Sequence, residues 1–171
     1  MIQTVSGKFK KMKQEDLIKN LFEDFQLLKT FKVDIKVKKR LLKELLEAGP
    51  DPWRIIGITG EALALLKKHN YNKVKGIKIQ RAHLKDRDIW YGELFEKKWE
   101  DASEWYSFIN KKDKTVLALS SENKSISKIH YIRFGRRNSV LFRSKRITWT
   151  HKKEEMAFLK KLDESNNTKV P

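Results

Sequence analysis

The spacing of apolar residues changes character near residue 72, and this change constrains the fold more than any other feature of the chain. Before it the period is helical. Leu17, Ile18, Leu21, Phe22, Phe25 and Leu28 recur at three- and four-residue steps, predicting a helix over 14–30 with Glu15 and Asp16 at the positive end of its dipole. Val37, Leu41, Leu42, Leu45 and Leu46 predict the inward face of a second helix over 36–48, stopped by Gly49-Pro50. Thr59 is a good N-cap for a third, to about residue 69. After residue 72, Ile77 and Ile79 alternate with Lys78 and Gln80, predicting a strand over 76–84. Phe95, Trp99, Ala102, Tyr106 and Ile109 predict one long helix over 90–109, and 115–120 reads as a short strand. Strands over 127–134 and 139–149, joined by Gly135-Arg136-Arg137-Asn138, read as a β-hairpin, and a helix over 153–162 precedes a polar tail. The expected fold class is α+β. A helical N-terminal part, 1–72, is followed by a sheet-and-helix part, 73–171, as two lobes sharing one core.

The 171 residues include 39 Lys and Arg against 22 Asp and Glu, a formal net charge of +17. Five Trp and nine Phe supply apolar bulk that a disordered basic tail lacks. With no Cys, disulfides, Cys-zinc sites and thiol catalysis are excluded. No apolar run approaches a membrane span, and residues 1–13 read as a loose basic arm rather than a signal peptide. The expectation is a cytoplasmic protein.

Positive charge is concentrated late in the chain. Lys124, Lys128, Arg133, Arg136, Arg137, Arg143, Lys145, Arg146, Lys152 and Lys153 follow one another with no Asp or Glu between them. A one-signed ribbon repels itself unless a partner neutralises it, and Arg forks onto phosphate oxygens. A basic two-stranded ribbon fits a nucleic-acid groove, with Trp149 a candidate for stacking on a base. Nucleic acid is the expected partner, DNA first with RNA open. The aromatics of 90–109 fall at helical spacing and are expected to be core.

Two segments could carry chemistry. Ile79-Gln80-Arg81-Ala82-His83-Leu84 ends a strand in His, whose neutral form is a suitable base near neutral pH. Asp113-Lys114-Thr115-Val116-Leu117-Ala118-Leu119 is a strand running into Ser120-Ser121-Glu122-Asn123. Together they resemble the HNH (ββα-metal) nuclease family over about residues 77–128. The resemblance implies His83 as general base, Asp113 near the position that orients it, and Asn123 as ligand of a divalent ion, Mg²⁺ or Mn²⁺. It departs from the family at Ala82, where many members carry a second metal ligand that Asp86, Asp88 or Glu122 could replace. It departs also in the 40 residues separating His83 from Asn123.

The reading that follows is a metal-dependent DNA endonuclease, of restriction or homing type by analogy, with a nuclease-like core and a basic β-hairpin. Arg81, Lys128, Arg133, Arg136, Arg137, Arg143, Lys145, Arg146 and Trp149 are its expected nucleic-acid contacts. A homodimer is left open. The alternative is a non-enzymatic basic DNA- or RNA-binding protein.

Overall fold

The computed structural model of the chain describes residues 13–50, 52–72, 76, 78–123, 128, 130–135, 142 and 152–167. Among the described residues ten elements follow in order: α1 (Gln14–Thr30), α2 (Ile35–Glu47), β1 (Arg54–Thr59), α3 (Gly60–Lys68), β2 (Ile79–His83), α4 (Arg87–Glu96), α5 (Ala102–Lys112), β3 (Lys114–Leu119), β4 (Tyr131–Arg133) and α6 (Lys153–Asn167). The fold is α+β. Among the described residues no helix is long and apolar enough to cross a membrane.

The sheet has the order β2-β3-β1-β4. β3 runs parallel to β1 and antiparallel to β2, and β4 is antiparallel to β1. β1 is an element that the apolar period does not announce. Its six residues pass straight into α3, and Thr59 is both the last strand residue and the helix N-cap, its side chain accepting the Ala62 N–H. No turn residue separates the two, so 49–58 reads from sequence as a connection between helices.

Two large apolar bodies make up most of the core among the described residues. One packs β1, β2 and β3 against α3 and α6 through Ile55, Ile58, Leu63, Leu66, Leu117 and Leu159. The other is helical: Leu21, Phe25 and Leu28 of α1 and Leu42 and Leu46 of α2 meet Trp90, Leu94, Trp105 and Ile109 of α4 and α5. The aromatics of 90–109 are core, as expected; Trp90, Tyr91, Trp99 and Trp105 are buried and Tyr106 and Phe108 partly so. Val37 and Leu41, expected to face inward, are exposed.

The single helix expected over 90–109 is two helices. α4 ends at Glu96, Lys97 is extended, and Asp101 caps α5 by accepting the Glu104 N–H at 2.8 Å. Glu104 in turn accepts the Glu100 N–H at 3.1 Å, a variant of the capping box. Trp99 fills the break and donates its indole N–H to Leu94 O, satisfying a carbonyl that the ending helix leaves free.

The strand expected over 76–84 begins only at Ile79, after Gly76 at φ 94. Of 127–134 only Tyr131–Arg133 is strand among the described residues, and Lys128 stands in a helical turn. Within 139–149 only Phe142 is described, and it is no straight strand residue. Its φ of 61 lies in the left-handed region, and its N–H donates to the buried Glu155 at 2.7 Å. Arg136, Arg137, Arg143, Lys145, Arg146 and Trp149 lie outside the described residues, as do the basic arm 1–12 and Lys124.

Candidate functional site

The antiparallel β2–β3 ladder sets the site. Its register pairs Ile79 with Leu119 at one end and His83 with Thr115 at the other, which brings the end of β2 beside the residue entering β3, Asp113. His83 Nδ1 lies 3.7 Å from Asp113 Oδ1. Both atoms are buried and without a hydrogen-bond partner among the described residues. Burial pushes the His83 imidazole down to about 3, helped by the charges of Arg87 and Arg81. Burial pushes Asp113 up to about 6, against the pull of the Trp53 N–H and of Arg87, Arg54 and Arg81. Near neutral pH the pair is therefore a neutral imidazole facing a carboxylate. The 3.7 Å gap is longer than a hydrogen bond.

Trp53 organises this pair, and composition gives no sign of it. Its φ is 53, a left-handed conformation that costs a bulky residue roughly 1–3 kcal/mol. Three contacts hold it there. Its N–H donates to Asp113 Oδ2 at 2.8 Å, and its carbonyl accepts Thr115 Oγ1 at 3.0 Å and Arg81 Nη1 at 3.2 Å. Its ring meets His83 edge-on, centroids 5.5 Å apart, with the Arg87 guanidinium 5.0 Å from its centre.

Around His83 opens a cleft of about 910 Å³. Its walls carry Lys36, Lys39, Arg40 and Lys43 from α2 and Lys85 and Arg87 beyond β2, against two carboxylates, Asp86 and Asp88. The four α2 cations stand at i, i+3, i+4 and i+7, one helical stripe, whose spacing is visible in the sequence but less prominent than the later uninterrupted basic run. Lys39 is braced to Asp88 at 3.1 Å, and Lys43 reaches Glu44 and Glu47 at 3.3 Å each.

The other expected residues are placed as follows. Arg81 lines the cleft but is only 5% exposed, and its guanidinium turns inward to the carbonyls of Trp53 and Phe142. Lys128 and Arg133 are exposed. Asn123 lines the same cleft as His83 but follows the far end of β3, where Ser120 bonds to Lys78 O. Four ladder residues separate those ends, roughly 13 Å of strand. Ala82 is fully buried against Val116 and Ala118 on the opposite sheet face from His83. The three candidate replacement ligands are already engaged. Asp86 caps α4, Asp88 holds Lys39, and Glu122 accepts the Thr59 hydroxyl and the Leu119 N–H, both at 2.8 Å. Among the described residues no three His, Asp or Glu gather as a metal site. One carboxylate set among three arginines is a poor seat for a dication, so the described residues do not fit a divalent ion at His83.

No protein-family model matches the chain, and neither a curated protein nor a solved structure matches it.

Proposed function

We propose that the protein binds nucleic acid in the cationic cleft and hydrolyses a phosphodiester bond there. The observation that carries this reading is the His83–Asp113 pair on the wall of a cleft rich in Lys and Arg. A neutral imidazole whose Nδ1 faces a carboxylate keeps its Nε2 lone pair for a proton. In the proposed step Nε2 takes a proton from water, the water oxygen bonds to phosphorus, and the bond from phosphorus to the leaving oxygen breaks. That oxygen takes its proton from solvent. Asp113 orients the ring and stabilises the imidazolium that forms, while Lys85 and Arg87 offset charge on the phosphate oxygens. DNA is the proposed substrate and the cytoplasm the proposed setting. The sequence motif around His83 and Asp113 resembles that of HNH nucleases. No step here passes through a metal ion.

The test is incubation of the protein with plasmid and with single-stranded DNA and RNA, in EDTA and in Mg²⁺ or Mn²⁺, read on a gel. We expect nicking that His83→Gln lowers about 10²- to 10⁴-fold while affinity for DNA stays within about twofold. Full cleavage by the variant overturns the role of His83. Binding without cleavage in every condition leaves the second reading, a basic binding protein, which the long His83–Asp113 separation favours.

A further inference from the structure

A second cationic groove, of about 620 Å³, meets the cleft at Leu84 and Lys85, the two residues that follow His83 and line both hollows. Its cations come from five places: Arg54 of β1, Lys85 after β2, Lys111 and Lys112 at the end of α5, Lys114 of β3 and Arg133 of β4. Among the described residues no carboxylate lines it. Lys112 is partly neutralised by Glu93 at 2.6 Å, and Arg54 donates to Asn110 O at 2.9 Å. The remaining lining is apolar. Ile56, Leu84 and Tyr131, which pack on the Ala82, Val116 and Ala118 cluster, line it together with Phe134.

Tyr131 is set into this lining by a glycine. A Cβ on Gly57 would stand 2.6 Å from Tyr131 Cδ2 and 2.5 Å from Ile132 O, so only glycine lets the ring lie this close to β1. The ring is half-buried, and the Arg133 guanidinium stands 5.8 Å from its centre. The groove therefore combines positive walls with an aromatic and aliphatic surface.

We propose that this groove holds a single-stranded segment of nucleic acid, its phosphates on the Lys and Arg walls and a base against Tyr131. A duplex offers the phosphates but keeps its base faces stacked inside, leaving the apolar surface unused. An unpaired strand offers both. The groove and the cleft lie on opposite faces of the sheet and share Leu84 and Lys85 at the end of the edge strand β2, so a strand that rounds this edge makes the segment bound here the flank of the phosphate that reaches the imidazole. The inference deepens the proposed hydrolase and rests on that reading for its link to cleavage.

The experiment measures binding by anisotropy of a fluorescein-labelled oligonucleotide, as a single strand and as the matching duplex, across a salt series. The full chain is compared with Lys111→Gln/Lys114→Gln/Arg133→Gln and with Tyr131→Leu and Tyr131→Phe. The triple variant should flatten the single-strand salt slope by about 2, each phosphate contact contributing about 0.7. Tyr131→Leu, which keeps apolar bulk, should weaken the single strand about 10-fold, leave the duplex within twofold and leave the salt slope unchanged, and Tyr131→Phe should restore affinity. Equal losses for strand and duplex, or none for either, overturn the groove assignment whatever the gel shows. The expected losses in a protein that never cleaves DNA uphold the groove and remove the hydrolase.

Discussion

Asp113 receives the backbone N–H of Trp53 on Oδ2 at 2.8 Å, so one carboxylate serves the backbone with one oxygen and faces His83 with the other. Position 113 thus has two separable duties. Asp113→Ala strands the Trp53 N–H and should lower stability by about 1–3 kcal/mol in urea melts. Asp113→Asn keeps an acceptor and should cost less than half of that. Under the hydrolase reading it still lowers cleavage about 10²-fold or more, because the amide cannot stabilise an imidazolium.

The two buried groups respond to acid in opposite directions. His83 titrates near 6.5 when unfolded and about 3 when folded, so between those values the unfolded chain binds more protons and acid weakens the fold. Asp113 moves from 3.8 to about 6, so across that window the folded chain binds more protons and acid strengthens it. Between pH 7 and about pH 4, His83→Gln should lose less stability than the unaltered chain and Asp113→Asn more. Each difference should be on the order of 1–3 kcal/mol in melts at the two pH values. Cleavage should fall about tenfold per pH unit below an inflection near 6, the pH at which Asp113 takes up its proton.

The α2 stripe divides by its neighbours. Lys39 and Lys43 are already paired with carboxylates, whereas Lys36 and Arg40 have no ion pair among the described residues. Lys36→Gln/Arg40→Gln should flatten the log–log salt dependence of duplex binding by about 2. Lys39→Gln/Lys43→Gln should flatten it less, and should lower the melting temperature by loosening α2 from α4.

Gly57 faces β4 with no room for a methyl group. Gly57→Ala should lower stability by roughly 1–3 kcal/mol, since Ile132 O is backbone and cannot rotate away. Thermal melts check it, and Gly60→Ala, where a Cβ meets nothing within 4 Å, is the control.

Much of this was open to inspection in the chain. The boundaries of α1 and the Thr59 cap follow from apolar period and side-chain chemistry, both local. The α4–α5 break is hidden because the apolar phase continues across it. The sign of the break is the capping pattern Asp101-Ala102-Ser103-Glu104, which overrides the period. β1 is hidden because it is short and merges into a helix. His83 and Asp113 are legible through the motif they resemble, but their nearness depends on the β2–β3 register. Trp53 is illegible, since nothing in the identity of a tryptophan announces a left-handed backbone.

The contacts that hold Trp53 reach residues 28, 60 and 62 positions away. Closing loops of that length costs more chain entropy than local contacts do. The imidazole meets its carboxylate only where β2 and β3 have paired. A chain still growing or partly folded carries the positive charge that attracts nucleic acid but not the assembled base. Under the proposed hydrolase reading, cleavage therefore belongs to the chain in which that pairing is complete.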